Sequence, residues 1–244
     1  MGFLAHLEEL RWMLVKCAAV FLVFASAIAF FPSQFKSVAL WPLHKVQLEY
    51  PDFRPDLGVN SVMEAFTIYM QVCCVGGLLL ATPFILFFVG QFVSPALREN
   101  ELKVVLPVCL IAMVLFLLGA LFSFFFLVPS TLSVSVQITE WFGFVIRWTA
   151  GSYYSLLLWL VLGVGAAFEF PLLIVLAVYL GLIEVATLRK YRRHAIVVIF
   201  VIAAIVTPTP DPLTQTLLAT PLYLLYEMTI WIVLSMERRK EKAD

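Results

Sequence analysis

Charged residues are scarce in this 244-residue chain: only 13% are Asp, Glu, Lys or Arg, whereas 63% are hydrophobic. A soluble domain usually carries about a quarter charged residues and at most about half apolar ones. A chain of this size cannot bury so much apolar surface away from water, so the composition predicts an integral membrane protein surrounded by membrane lipids. The 16 basic and 16 acidic side chains cancel. No nucleic-acid partner is therefore expected.

Cysteine and histidine are also rare, and their positions argue against several kinds of site. The four cysteines lie inside apolar runs without a CxxC pattern, and we interpret them as packing residues. The three histidines lie at span edges or in loops, and HLEEL is not the HExxH pattern of a zinc protease. We expect no enzyme activity, no metal and no cofactor. The N-terminus lacks the regions of a cleaved signal peptide, so no cleavage is expected.

Six apolar segments predict an all-α, polytopic membrane protein with six transmembrane helices in a single domain over residues 1–244. A spanning helix needs roughly 20 apolar residues to cross about 30 Å of hydrocarbon. The last two helices are expected to be short, and the fifth either thins the membrane locally or forms a re-entrant pair with the sixth. The predicted spans are 12–31, 66–93, 104–129, 152–183, 195–206 and 213–236.

The distribution of basic residues predicts the orientation. The two termini and residues 94–103 and 184–193 together hold 12 Lys and Arg, with Lys16 near the start of the first span counted with the N-terminus, whereas the segments on the opposite side hold 4. Because basic residues favour the cytoplasmic side, both termini are expected there. Residues 32–65 are rich in proline and also carry apolar side chains. They are expected to fold as a cap on the outer surface.

One acid, Glu169, lies near the middle of the predicted fourth span. An acid at that depth costs about 2.5–3.5 kcal/mol unless it is neutralised or finds a partner. Pro171 cannot donate a backbone hydrogen bond and collides with the carbonyl of Ala167, so the fourth helix is expected to kink at Pro171. Glu169 is either a protonated structural acid or a site exposed to a partner helix or to water. One alternative function is a proton-coupled small-solute transporter that uses Glu169, although no inverted repeat is found.

A second group of acids lies on the predicted cytoplasmic side. The stretch FLAHLEELRWML has the periodicity of an amphipathic helix. Glu8 and Arg11 are three residues apart and can pair, which leaves Glu9 without an equally good partner in the helix. Glu99 and Glu101 follow in SPALRENELK. Acids on the side that favours basic residues indicate a receptor for a cationic ligand.

Five motifs resemble, in order and across nearly the whole chain, the TatC subunit of the twin-arginine (Sec-independent) protein translocase. The resemblance implies a core receptor that binds twin-arginine signal peptides of folded precursors and recruits single-span TatA/TatB-type subunits. It also implies self-association in a larger complex, a location in the cell inner membrane, and export driven by the proton-motive force. The motifs are HLEELR (6–11), FVSPALRENE (92–101), FEFP (168–171), RRHAIVVIFVIAA (192–204) and TPTPDPLTQTLLATPLYLLYE (207–227).

The resemblance also implies roles for individual residues. Glu9 and Glu101 match the acids that read the two arginines, and a guanidinium fits a carboxylate in a fork geometry that a lysine ammonium cannot reproduce. The implied signal-peptide-binding residues are Glu9, Leu10, Arg11, Phe92, Pro95 and Glu101. The implied intramembrane polar residues that bind partner subunits are Glu169, Asp211, Gln215 and Glu227.

Overall fold

The computed structural model describes residues 3–51, 53, 57–93, 99–179, 185–207 and 211–240. These residues form helices, and the all-α prediction is confirmed. Within the described ranges, five helices are long and apolar enough to cross a membrane, as a multi-pass membrane protein requires. They are His6–Phe30, Val62–Phe92, Leu106–Phe142, Ala150–Val178 and Pro212–Ser235.

The helices are numbered here in chain order. The first half contains α1 (Phe3–Phe30), α2 (Pro32–Ala39), α3 (Trp41–Glu49), α4 (Val62–Gln71), α5 (Gly77–Val93) and α6 (Glu99–Phe122). The second half contains α7 (Val128–Phe142), α8 (Ala150–Ala167), α9 (Phe170–Tyr179), α10 (Val185–Lys190), α11 (Arg192–Val206) and α12 (Pro212–Lys240).

Two long helices continue through a π-helical turn. The turn Val72–Gly76 joins α4 to α5, and the turn Ser123–Leu127 joins α6 to α7. The second of these helices therefore continues past residue 129, where the third span was predicted to end. Pro129 lies in the first turn of α7, directly after a π turn that has already shifted the hydrogen-bond register, so its missing N–H does not break the helix. The helix ends instead at Gly143, whose φ of 66° is left-handed.

Because of side-chain caps, the second and fourth membrane helices start earlier than the sequence predicts. The Ser61 side chain accepts a hydrogen bond from the Glu64 N–H at 3.1 Å, so the helix begins at Val62 rather than at residue 66. Residues 62–65 therefore belong to this helix and not to the cap. The Thr149 side chain accepts from the Ser152 N–H, also at 3.1 Å, so α8 begins at Ala150 and not at residue 152.

The last two helices differ in length. α11 has 15 residues and begins at Arg192, three residues before the predicted start; its length of about 22 Å is short for a crossing. α12 has 29 residues, so the prediction that both helices are short is wrong for α12. The helix continues through Pro221 without a break and ends in a charged C-terminal segment.

The fourth membrane helix is interrupted between α8 and α9. The Glu169 N–H bonds to the carbonyl of Ala166 at 3.1 Å, a three-residue closure, and α9 starts at Phe170. Pro171 accounts for the interruption because it has no N–H to offer the Ala167 carbonyl. The predicted kink at Pro171 stays a prediction, as does the end of this span at residue 183, because residues 180–184 lie outside the described ranges.

Helices α2 and α3 form a cap that packs against α7 and α8. Val46 of α3 is fully buried. The Tyr153 hydroxyl donates to the Ala39 carbonyl at 2.6 Å, and the Gln137 amide donates to the Tyr50 hydroxyl at 2.7 Å. The cap is thus tied to one end of the membrane helices, which we call the outer end. The opposite end, where α1 starts and α5 ends, is called the inner end.

Candidate functional site

A cavity of about 610 Å³ lies at the inner end, between the start of α1 and the end of α5. Acidic, basic and aromatic side chains share its wall. Its lining residues are Glu8, Glu9, Trp12, Met13, Lys16, Phe88, Gln91 and Phe92. The cavity can therefore accept a ligand that presents both cationic and apolar groups.

Aromatic contacts hold the start of α1 against the end of α5. The rings of His6 and Phe92 stack with centroids 4.6 Å apart and planes 13° apart. The Lys16 ammonium lies 6.0 Å from the centre of the Phe88 ring. These contacts fix the first turns of α1, and with them the position of Glu9.

The Glu9 carboxylate is incompletely satisfied. Its Oε2 atom is buried and has no hydrogen-bond partner within the described ranges, although His6 Nδ1 lies 3.6 Å away. The Glu8–Arg11 pair that the spacing allows is not among the described ion pairs. The Arg11 guanidinium lies instead 5.5 Å from the centre of the Trp12 ring, a competing cation–π contact. Glu9, rather than Glu8, has a close basic neighbour, and its carboxylate still has acceptor capacity.

The second predicted acid, Glu101, lies in the first turn of α6, and its side chain is outside the described part. A Cβ added at Gly90 of α5 would lie 2.0 Å from Cys109 Sγ, so α5 and α6 pack in close contact at this level. Glu101 lies about 12 Å further along α6 toward its start. The backbone of Glu101 is thus at the inner end. Pro95, also predicted to bind the signal peptide, lies outside the described residues.

The other predicted signal-peptide residues differ in exposure. Phe92 and Leu10 are half-buried, whereas Arg11 is exposed. Phe92 lines the cavity directly. The structure therefore brings Glu9 and Phe92 together at one cavity, with Leu10 and Arg11 adjacent to Glu9 in the chain.

Glu169 lies beside a tight crossing of α6 and α8. A Cβ at Gly119 would lie 2.7 Å from the Phe168 ring, and a Cβ at Gly165 would lie 2.8 Å from the Phe116 ring. At each glycine, an aromatic ring from the other segment thus packs closely against the helix backbone. The carboxyl atom Glu169 Oε1 is buried without a hydrogen-bond partner among the described residues. Glu169 therefore lies beside a rigid helix contact, and its Oε1 atom accepts no described hydrogen bond from within the chain.

The remaining predicted polar residues all have partners within the chain. Asp211 Oδ2 accepts from the Thr214 N–H at 2.8 Å and caps α12. Gln215 Nε2 donates to the Phe200 carbonyl at 3.0 Å and ties α12 to α11. The Glu227 carboxylate accepts from Arg192 Nη2 at 2.9 Å and from the Tyr223 hydroxyl at 3.1 Å. The sequence analysis missed the Arg192–Glu227 pair, because nothing local links residues 35 positions apart.

Comparison with known proteins identifies the family. A family model for the Sec-independent protein translocase protein (TatC) matches residues 5–221. The TatC protein of Koribacter versatilis is 33% identical over 99% of this chain and 89% of its own length. That of Aquifex aeolicus is 33% identical over 98% of this chain and 97% of its own length.

A solved structure gives the same result. The crystal structure of the twin-arginine translocase receptor TatC in DDM superposes with a TM-score of 0.77 at 32% sequence identity. The match covers 93% of this chain and 98% of that one. The resemblance drawn from the five motifs is confirmed, and the chain belongs to the TatC family of Sec-independent protein translocase proteins.

Proposed function

We propose that this chain is the core receptor of a twin-arginine translocase and binds the twin-arginine signal peptides of folded precursor proteins. The observation that carries the proposal is the Glu9 carboxylate, which lines an open cavity with its side chain 36% exposed and has no basic group closer than His6 Nδ1, at 3.6 Å, among the described residues. A carboxylate of this kind offers an acceptor to a guanidinium from outside the chain. Glu101, on the helix that follows the same end of α5, supplies the second acid.

The two acids act together because they stand on separate helices. Each arginine of the signal occupies one carboxylate, and the distance between the carboxylates sets the required spacing of the two cations. Trp12, Phe88 and Phe92 add aromatic faces to the same cavity, and these faces bind the apolar part of the signal. Leu10 and Arg11, next to Glu9 in the chain, and Pro95 are further proposed binding residues.

The proposed topology has six spans in a single integral membrane domain. The 15-residue helix α11 is the fifth and shortest crossing. In this topology the inner end and both termini lie in the cytoplasm. The basic residues of α1, of the α10–α11 joint and of the end of α12 then lie on the side that basic residues favour. The proposed location is the cell inner membrane, where the proton-motive force drives export.

Photocrosslinking tests the binding proposal. A signal peptide with a diazirine residue next to its two arginines is expected to crosslink to residues that line the Glu9 cavity. The same peptide with two lysines should crosslink several-fold less, because an ammonium cannot bridge both carboxylate oxygens. Mass spectrometry of the crosslinked protein locates the attachment. Equal crosslinking by both peptides, or attachment only at the outer end, would refute the proposal.

The second part of the proposal concerns partner subunits. Glu169 provides a polar contact for a membrane helix of a single-span TatA/TatB-type subunit. Further polar positions are Asp211, at the cap of α12, and Gln215 and Glu227, on α12. Support comes from the buried Oε1 atom of Glu169, which lacks a hydrogen bond among the described residues, and from the rigid glycine–phenylalanine contacts beside it. Recruitment of these subunits and self-association of the receptor build the export complex.

Replacing Glu169 with alanine is expected to weaken partner recruitment while leaving twin-arginine binding largely intact. An interhelical hydrogen bond in a membrane contributes about 0.6–2 kcal/mol, so co-purification of the partner should fall roughly 3- to 30-fold. Export of a folded precursor should fall with it. Glu140→Ala, an exposed acid near the end of α7, serves as the matched control. Equal loss of partner and signal-peptide binding would identify Glu169 as a structural acid instead.

A further inference from the structure

Four basic side chains lie at the joint between α10 and α11. Arg189 and Lys190 end α10, and Arg192 and Arg193 begin α11. Arg189, Lys190 and Arg193 are exposed, whereas Arg192 is half-buried. We call these four residues the basic joint. The first turn of α11 contains no acidic residue, and the partial positive charge of the helix start adds to the cationic field.

The chain supplies little negative charge to this joint. Arg192 Nη2 donates to the Glu227 carboxylate at 2.9 Å, the one described ion pair that the joint makes. Arg192 Nε is buried and has no hydrogen-bond partner among the described residues. Among the described side chains, Glu227 is thus the one carboxylate that pairs with the joint, and the three exposed cations Arg189, Lys190 and Arg193 make no described ion pair. An anionic group from outside the chain would balance this charge.

An apolar groove begins one helical turn deeper, between α11 and α12. Its volume is about 190 Å³, enough for part of a hydrocarbon chain. Tyr223 joins the two features, because its ring lines the groove while its hydroxyl donates to Glu227 at 3.1 Å. The side chains along the groove include Ile196, Ile199, Phe200, Thr220, Tyr223 and Leu224.

We propose that the basic joint and the groove together bind one anionic glycerophospholipid. Its phosphate lies against Arg189, Arg192 and Arg193, and one acyl chain enters the groove. Basic pockets between membrane helices bind anionic lipid headgroups in this way. A partner helix would fill the groove without using four cations, so the charge favours the lipid. The site does not depend on the proposed signal-peptide function and requires only that the joint faces a membrane surface. It adjoins the proposed partner site, because Arg192 and Tyr223 both donate to Glu227.

Native mass spectrometry of the full chain in detergent tests the proposal. We expect phosphatidylglycerol to bind more tightly than phosphatidylcholine with the same acyl chains. Arg189→Gln plus Arg193→Gln removes two exposed cations whose side chains make no described hydrogen bond or ion pair. Phosphatidylglycerol binding should fall roughly 25-fold, at about fivefold per charge, and phosphatidylcholine binding should not change. Thr220→Trp, at an exposed position of the groove, should weaken phosphatidylglycerol binding several-fold although all four cations remain.

Lys36→Gln plus Arg147→Gln removes the same charge from exposed positions at the outer end and is the matched control. Equal weakening in this control would mean that net charge alone attracts the lipid, and the proposal would fail. Displacement by soluble glycerol phosphate, with no effect of Thr220→Trp, would indicate a bare phosphate site and also overturn it. Loss of a co-purified single-span subunit in Thr220→Trp, with phosphatidylglycerol binding unchanged, would assign the groove to a protein helix.

Discussion

Replacing Gly77 with alanine is expected to destabilise the protein, although alanine is the better helix former. A Cβ at this position would lie 2.8 Å from the backbone N and Cα of Ala25, where α5 crosses α1. A backbone cannot rotate away as a side chain does, so α1 must shift as a unit. Overpacking of this kind costs about 1–3 kcal/mol, which exceeds the gain in helix propensity of about 1 kcal/mol.

The same substitution should also impair the Glu9 cavity. Glu9 lies about 24 Å from Ala25 along α1, at 1.5 Å per residue. A small tilt of α1 at the crossing therefore becomes a larger displacement at Glu9, and it separates the stacked rings of His6 and Phe92. Signal-peptide affinity should fall together with stability, and Gly77→Val should have a larger effect on both than Gly77→Ala.

Gly163→Ala is the matched control for Gly77→Ala. Its new Cβ would meet a side-chain methyl of Val206 at 3.1 Å rather than backbone. A methyl group can move by a few tenths of an ångström, so the thermal midpoint should stay the same or rise. The measurement is the midpoint of thermal unfolding in one detergent for all variants. If Gly77→Ala raises the midpoint as Gly163→Ala does, α1 and α5 leave room for a methyl group at Gly77, and the prediction is wrong.

Local signals in the sequence predicted most of the helices, and one available signal was overlooked. The apolar runs identified the membrane helices because composition alone determines whether a segment partitions into hydrocarbon. Ser61 and Glu64 form the S-x-x-E pattern of a helix start, yet the second span was predicted to begin later. The third span was likewise predicted too short, ending at Pro129, because nothing in the residues before Pro129 signals a π turn.

Long-range contacts could not be predicted from the sequence. Glu169 and Glu227 both look like acids within apolar runs, and only the structure separates them. Arg192 reaches Glu227 from another helix, whereas Glu169 Oε1 has no bond among the described residues. Helical glycines are equally ambiguous, since Gly77 meets backbone and Gly163 meets a methyl group. Such differences depend on helix crossings, which no local pattern encodes.

Replacing Glu9 and Glu101 together with alanine is expected to weaken binding of a twin-arginine peptide roughly 100-fold. A hydrogen bond to a charged group contributes about 1.5–3 kcal/mol. Because the Glu9 side chain is 36% exposed, we take the lower end of this range, about 1.5 kcal/mol for each acid. Two such losses amount to about two factors of ten in affinity, and each single variant should lose about one.

The decisive readout is discrimination between arginine and lysine rather than affinity alone. Wild-type protein should bind a twin-arginine peptide more tightly than a twin-lysine peptide, and the double variant should bind both equally weakly. Glu9 Oε2 makes no described hydrogen bond that alanine would remove, so we expect the fold to tolerate the change at Glu9. Glu140→Ala, an exposed helical acid at the outer end, should leave the affinity ratio unchanged. A double variant that still prefers arginine over lysine would show that the guanidinium is recognised elsewhere.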